Sequence, residues 1–207
     1  MVEERSKNSP SPERPAKAQY PCEVTWEEYR TEMQHAYAGL TCAVTGSRPA
    51  NFPWNYYGLT FAPYIELLRE KVRNLIDYGV TAFICGMAMG VDIDVAETVL
   101  KLRREYDPDI RLVCAVPCPD QQRAYPYSWK LRYKKILENA DKVVVVSKSY
   151  DRQCYHRRNR YMIDNCDVLF AVWNGSQTGG TAYTIRYAYK SNKKVEILNL
   201  TNILSRD

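Results

Sequence analysis

The stretch TCAVTGSRP, residues 41–49, is the strongest indication of the fold, because an apolar run leads directly into a turn that contains Gly46 and Arg48. The same arrangement recurs in CGMAMGVD, residues 85–92, and in NGSQTGGT, residues 174–181. In an open parallel sheet, strand-to-helix turns gather at the carboxyl edge, where backbone amides and helix N-termini hold anions. The three turns therefore predict a site for a nucleotide or a phosphorylated sugar.

Apolar runs and helical periodicity alternate along the rest of the chain. Continuous apolar character is typical of strands that are covered on both faces. Strands are predicted near 41–45, 81–85, 110–116, 142–146, 167–172 and 194–198, and helices near 63–78, 91–106, 128–139, 153–165 and 180–190. This alternation predicts an α/β, Rossmann-like, doubly wound and mostly parallel sheet with helices on both faces.

Length and composition limit the class of protein. The chain has 207 residues, of which 45% are hydrophobic and 26% charged, as in an ordinary single-core domain. No run approaches the roughly 18 apolar residues of a membrane span, and the N-terminus lacks the apolar segment of a signal peptide. We therefore expect a cytoplasmic protein without a membrane partner.

The first 39 residues differ from the remainder. Residues 1–24 contain four of the eleven prolines and few large apolar groups, so they predict a flexible arm. Thr25 and Glu28 have the spacing of a capping box, which predicts a helix within residues 25–39, running from Trp26 to Ala38. The Rossmann-like domain is expected to occupy residues 40–207.

Cysteine and histidine usage does not indicate a metal centre. The chain has seven cysteines and two histidines, without the Cys-x-x-Cys spacing of structural zinc sites. Cys154, His156 and Cys166 are three candidate ligands on one predicted helix, which is thin support for a metal. We expect reduced cysteines that pack as small apolar groups, and no metal.

Basic residues are concentrated in two runs, although the net charge is only +5. Residues 148–160 contain five cations and one acid, and a second run extends from Arg123 to Lys135. Such runs are usually solvated helix faces. Because both follow predicted strands, they also lie near the edge where an anionic ligand binds.

The turns supply the candidate binding residues. Gly46 permits close backbone approach, Ser47 offers a hydroxyl, and Arg48 offers a planar fork of donors for phosphate. Asp92 has two interpretations: a helix cap, or a carboxylate that holds a ribose hydroxyl. The complete set of predicted ligand-binding residues is Gly46, Ser47, Arg48, Gly86, Gly90, Asp92, Arg160, Asp164, Gly179, Gly180 and Thr181.

Arg160 and Asp164 carry two alternatives of their own. Four residues apart on a helix, they share a face and can form an exposed ion pair. In the functional alternative, Arg160 holds a phosphate while Asp164 orients it.

Several motifs in order resemble the YpsA-like branch of the SLOG superfamily. They are residues 44–49, 85–92, 115–118, 157–164 and 171–175, followed by 179–181. The resemblance implies a Rossmann-like nucleotide-binding fold related to DprA and to LOG phosphoribohydrolases. It also implies a homodimer, and a role in nucleotide sensing or in bacterial cell-division control. A protein partner in cell-division or defence signalling is expected on the same basis.

One departure from the LOG pattern concerns catalysis. LOG-type hydrolases carry a glutamate downstream of a Gly-Thr pair, and alignment on Gly180-Thr181 puts Thr184 in that place. Asp92 and Asp164 are the nearby substitutes. The catalytic residues, and whether the chain is an enzyme at all, therefore stay open.

Three functions remain at this point. The first is a sensor, sequestering or regulatory protein that binds a nucleotide-derived ligand and requires no other cofactor; NAD and ADP-ribose derivatives are candidates. The second is a nucleotide N-glycoside hydrolase of LOG type. The third is single-stranded nucleic-acid binding of DprA type, which the modest net charge makes the less favoured.

Overall fold

The computed structural model describes residues 39–203. The predicted arm, residues 1–24, and the predicted helix from Trp26 to Ala38 lie outside the described residues. Within the described part of the chain, no helix is both long and apolar enough to cross a membrane.

Six strands alternate with five helices between residues 39 and 203. The strands are β1 (Leu40–Gly46), β2 (Val80–Cys85), β3 (Arg111–Val116), β4 (Lys142–Val145), β5 (Val168–Trp173) and β6 (Lys194–Asn199). The helices are α1 (Phe61–Asp77), α2 (Val91–Glu105), α3 (Tyr127–Asn139), α4 (Cys154–Asp164) and α5 (Gly179–Lys190). Every boundary lies within two residues of its predicted position. Short 3-10 turns at Pro49–Asn51 and Leu200–Asn202 were not predicted.

All strand pairs are parallel, in the order β4-β3-β2-β1-β5-β6. On one side of β1 the sheet continues with β2, β3 and β4, and on the other side it continues with β5 and β6. The connections therefore leave β1 and β5 on opposite sides, and a crevice opens beyond their carboxyl ends. In register, Gly46 at the end of β1 lies beside Val172 of β5. The predicted fold class is confirmed.

Two apolar layers hold the sheet between its helices. In β1, Cys42 and Val44 face the layer formed with α1, α2 and α3, whereas Ala43 faces the layer formed with α4 and α5. The alternation follows from the period of two along a strand. Every central strand thus buries both faces, as its continuous apolar run predicts.

β4 departs from that expectation. Its valine run predicts a fully covered strand, but Val143 and Val145 are about half exposed. β4 is the outer strand of the sheet, and α4 packs against β3. One face of this edge strand therefore meets solvent.

Candidate functional site

A cavity of about 160 Å³ lies at the carboxyl ends of β1 and β5, at the point where the strand order reverses. The three predicted turns and helix α4 enclose it. The lining residues are Val44, Thr45, Gly46, Arg48, Asn51, Ala88, Asp92, Tyr155, Arg158, Asn159, Met162, Gly180, Thr181 and Thr184. Segments separated by more than 100 residues along the chain therefore meet in one concave surface.

The first two turns are packed directly on each other. The Val91 amide donates to the Ser47 carbonyl oxygen at 3.3 Å. Gly90 has φ +95°, and a methyl group added to it would lie 2.6 Å from the same oxygen. Ser47 is itself buried, and its amide donates to Val172 of β5. Gly90 and Ser47 thus join the two turns and do not line the cavity.

Asp92 occupies the first turn of α2 but does not cap the helix. The N-cap residue is Gly90, without a side-chain cap. The Asp92 carboxylate instead lines the cavity, and its Oδ2 accepts from the Ala88 amide at 3.2 Å. Burial raises the pKa of this carboxyl, while the charge of Arg158 and the Ala88 hydrogen bond partly offset the increase. A buried carboxylate facing a cleft is a common feature of functional sites.

Arg158 forms the wall opposite the second turn. Its side chain is only 6% exposed, and its guanidinium donates to the Gly86 carbonyl oxygen and to Asn159 Oδ1. Its Nη1 lies 3.8 Å from Asp92 Oδ2. A methyl group on Gly86 would overlap the guanidinium and lie 2.7 Å from that Asp92 oxygen. Gly86 therefore lies behind Arg158, and its contribution is to leave room for the arginine.

Arg158 was not among the predicted site residues, since it lies within an otherwise exposed basic run. One signal could have distinguished it. Cys154, Arg158 and Met162 are spaced by four residues and form the buried stripe of α4. A cation within an apolar stripe is expected to have a specific partner. Tyr155 and Asn159, its neighbours in the lining, carried no comparable signal.

Arg48 is the exposed cation of the site. It follows β1 directly and lines the cavity, with its guanidinium 6.0 Å from the centre of the Tyr155 ring. In the described part of the chain, no carboxylate lies close enough to form a salt bridge with it. Its donors are therefore available to an anion that binds in the cavity.

The third turn presents the N-terminus of α5. Gly179 has φ +89°, and a methyl group on Gly180 would meet nothing within 4 Å. The N-cap residue Thr178 makes no side-chain cap. The first amides of a helix have no acceptor within that helix, and they attract negative charge. Gly180 and Thr181 line the cavity, whereas Gly179 is not among its lining residues.

Thr184 belongs to a hydrogen-bonded chain that joins α4 to α5. Asn159 Nδ2 donates to Thr184 Oγ1 at 2.9 Å, and Thr184 Oγ1 donates to the Gly180 carbonyl oxygen at 2.8 Å. Asn159 in turn accepts from Arg158. This part of the cavity wall is therefore neutral, and its polar groups are partnered within the protein.

Arg160 and Asp164 do not line the cavity. Arg160 Nε donates to the Tyr183 hydroxyl, and the Tyr187 hydroxyl donates to Asp164. Both residues are exposed on the outer side of α4. Two residues correspond to about 200° of helix rotation, so the turn that directs Arg158 inward directs Arg160 outward. Neither predicted alternative for this pair, a mutual ion pair or a phosphate contact, describes their positions.

A second carboxylate lies on the other side of α2. Asp94 is 1% exposed and accepts from Tyr56, Tyr64 and Arg132 at 2.6 to 3.1 Å. Burial raises its pKa, and the Tyr56 hydrogen bond and Arg132 lower it in part. Arg132 also forms two hydrogen bonds with Glu97. This network holds the aromatic segment after the first turn against α2 and α3.

The strand order and the position of the cavity define a Rossmann-like α/β protein with a polar cavity at its topological switch point. The chain belongs to the YpsA-like SLOG family, because the family model described as the YspA SLOG family matches residues 42–203. The chain is 27% identical over 145 residues to a UPF0398 protein of Halalkalibacterium halodurans, covering 69% of this chain and 75% of the relative.

Two further relatives show the same extent of similarity. The SPbeta prophage-derived protein YoqJ of Bacillus subtilis is 27% identical over 146 residues, 62% of this chain and 84% of its own length. A UPF0398 protein of Bacillus thuringiensis is 29% identical over 136 residues, 65% of this chain and 72% of its own. The resemblance read from the motifs is confirmed at the level of the family.

Proposed function

We propose that this protein binds a nucleotide or a phosphorylated nucleoside-derived ligand in the cavity at the ends of β1 and β5, as a sensor, sequestering or regulatory protein. The observation that supports this proposal is the division of one cavity into two chemically different parts. Free donors lie at Arg48 and at the start of α5, and a buried carboxylate lies at Asp92.

The part of the cavity that carries the hydrogen-bond donors suits a phosphate. Arg48 offers a guanidinium without a salt-bridge partner in the described chain. Gly180 and Thr181 lie at a helix N-terminus that lines the cavity, and a methyl group on Gly180 would meet nothing within 4 Å. An arginine fork and a set of helix-terminal amides both bind phosphate oxygens, through charge-assisted hydrogen bonds and through the helix dipole.

The size of the cavity favours partial enclosure of a nucleotide. Its volume of about 160 Å³ is roughly half of the lower end of the range typical of pockets that bury drug-sized ligands, about 300 to 1,000 Å³. The phosphate and the sugar would occupy the cavity, and the base would lie at its mouth. The ligand candidates, NAD and ADP-ribose derivatives among them, share this phosphate-sugar part.

Binding without turnover is favoured over hydrolysis of LOG type. Thr184 stands where those hydrolases carry glutamate, and its hydroxyl is engaged by Asn159 and Gly180. Asp164 faces Tyr187 outside the cavity. Among the lining residues that belong to the described range 39–203, Asp92 is the one carboxylate, so N-glycosidic cleavage would depend on it.

Nucleic-acid binding is the third candidate, and the arrangement of the basic run gives it little support. Arg157 pairs with Asp151, Arg158 is buried, and Arg160 bonds to Tyr183. Few charges of this run are left to follow a phosphate backbone. A steep decrease of single-strand affinity with salt would favour this function over a nucleotide site.

A mass-spectrometric experiment tests the proposal. The purified full chain is denatured, and any small molecule released is identified. The same protein is incubated with AMP, NAD and ADP-ribose, and bound and free material are compared. Recovery of intact ligand supports a sensor or sequestering role, and release of base or ribose phosphate supports an enzyme. Absence of binding to every member of the panel at millimolar concentration contradicts the proposal.

The proposal also covers the cellular location of the protein, its number of subunits and its protein partner. The family resemblance supports a homodimeric state and a protein partner in cell-division or defence signalling, whereas the proposed cytoplasmic location rests on the composition of the sequence. Light scattering of the purified chain measures the number of subunits, and a monomer over the whole accessible concentration range would contradict the homodimer.

A further inference from the structure

The Asp92 carboxylate is buried with too few donors. A carboxylate has about four sites for hydrogen-bond donors. Within residues 39–203, the Ala88 amide is the donor that reaches it, at 3.2 Å from Oδ2, while Oδ1 has no protein donor and is open to the cavity rather than fully enclosed. The residue is only 6% exposed. An anion in this state is costly unless something else completes its hydrogen bonds.

Arg158 does not complete them. Its Nη1 lies 3.8 Å from Asp92 Oδ2, beyond hydrogen-bond distance, and donates to the Gly86 carbonyl oxygen instead. The arginine supplies charge to the carboxylate without a hydrogen bond. The missing donors must therefore come from the cavity that Asp92 lines.

The surrounding charges select the kind of donor. A phosphate next to Asp92 would meet a like charge, so it belongs with Arg48 and the start of α5. An ammonium group would meet Arg158 and Arg48, whose charges both reach this carboxylate. A neutral donor is repelled neither by the carboxylate nor by the two arginines. In a nucleotide, the neutral donors close to the phosphate are the hydroxyl groups of the sugar.

We propose that Asp92 is a specificity residue that accepts hydrogen bonds from the sugar hydroxyls of the ligand, so that the site selects ribonucleotides over analogues without these hydroxyls. This inference rests on the proposed function and names its substrate class. A site with a buried acceptor rejects a ligand that leaves the acceptor unpaired, because the desolvation cost is then not recovered.

The test compares AMP with 2′,3′-dideoxyAMP, which keeps the phosphate and the base and lacks both hydroxyls. Isothermal titration of the full chain is expected to give a Kd for AMP about 10- to 100-fold lower than for the dideoxy analogue, the range for a hydrogen bond to a charged group. In Asp92→Asn, which keeps only an uncharged acceptor, the ratio of the two Kd values should fall severalfold toward 1. Asp164→Asn, which removes an exposed carboxylate at the end of α4 outside the cavity, should keep the wild-type ratio.

Each outcome separates the two proposals. Equal affinities of the wild-type chain for AMP and its dideoxy analogue overturn the role of Asp92 and leave nucleotide binding intact. Failure of both to bind at millimolar concentration counts against the nucleotide site itself, and against this inference with it. If Asp92→Asn does not fold, the wild-type ratio alone decides.

Discussion

Asp92 and Asp94 lie two residues apart in the first turns of α2, both buried, yet their surroundings differ completely. Asp94 accepts from two tyrosine hydroxyls and from Arg132. Asp92 accepts from one backbone amide and faces a cavity. The rotation of about 200° between them directs one toward the core beneath the aromatic segment and the other toward the switch point.

The difference separates a carboxylate that stabilises the fold from one that is available to a ligand. Burial raises the pKa of both carboxyls, so the direction of a pKa shift does not distinguish the two roles. The completeness of the hydrogen bonds does. Four predictions test this distinction.

The largest effect is expected on stability, at the fully bonded carboxylate. Asp94→Ala leaves two buried hydroxyls and part of Arg132 without an acceptor, so the free energy of unfolding should fall by about 3 to 5 kcal/mol. Urea denaturation followed by circular dichroism measures it. The control is Glu97→Ala, which removes the half-exposed partner of the same arginine and should cost less than about 1 kcal/mol. Similar losses in both variants would show that Asp94 is not the centre of the network.

At the ligand side, Arg48→Ala should weaken binding without changing the fold. The loss of a charge-assisted hydrogen bond to phosphate predicts a decrease in the binding free energy of AMP by about 1.5 to 3 kcal/mol. Isothermal titration measures the affinity, and thermal unfolding checks that the fold is intact. Arg160→Ala is the matched control, because that arginine is engaged by Tyr183 outside the cavity. Unchanged affinity in Arg48→Ala would remove this residue from the site.

Substitutions at two glycines of the site, Gly86 and Gly180, should change stability in opposite directions. Gly86→Ala brings a methyl group onto Arg158 and to 2.7 Å from Asp92, so it should lower the free energy of unfolding by about 1 to 3 kcal/mol, as overpacking does. In Gly180→Ala the methyl group meets open space, and a helical alanine should raise stability by about 0.5 to 1 kcal/mol. Chemical denaturation of both variants measures the contrast. A stable Gly86→Ala protein would contradict the tight fit of Arg158.

The smallest effect is a pH dependence at Asp92. Its pKa is raised above the ordinary 3.8 by burial, with Arg158, the Ala88 amide and Arg48 lowering it and Asp94 raising it. As the pH falls through the raised pKa, the carboxylate takes up a proton and loses its strength as an acceptor. The preference for AMP over its dideoxy analogue should therefore be largest at neutral pH and decrease toward acid, by part of the roughly 10- to 100-fold ratio expected for the wild-type chain.

Both ligands carry the same phosphate, so its own titration cancels in the ratio of the two Kd values. Titrations at a series of pH values measure that ratio. The ratio should not depend on pH in Asp92→Asn. A ratio that stays constant in the wild-type chain down to the pH of acid unfolding would contradict an ionised Asp92 as the acceptor.

Most of the fold could be predicted because it depends on local patterns. Apolar runs, helical periodicity and glycine turns located every strand and helix of the described chain within two residues. The valine run of β4 was the exception in burial, since no local pattern shows that a strand lies at the edge of the sheet. The convergence of the turns also followed from general geometry, because all parallel strands point to one edge.

The site was less predictable. Of the predicted ligand-binding residues, Gly46, Arg48, Asp92, Gly180 and Thr181 line the cavity, and their contact with a ligand stays a prediction. Arg158 was missed and Arg160 was included, although the two lie in the same motif, because the phase of α4 relative to the sheet decides which arginine is buried. That phase depends on packing against residues far away in the chain.

Sequence patterns were sufficient to establish the succession of strands and helices along the chain, the family and the turns at the carboxyl edge, because these depend on periodicity and on motifs of a few neighbouring residues. Which charged side chains meet in the cavity, and which find their partners elsewhere, became clear only from the packing of the helices against the sheet. This is because the role of a buried charged group depends on the hydrogen-bond and ion-pair partners that are buried next to it. Those partners come from helices and turns that are distant along the chain.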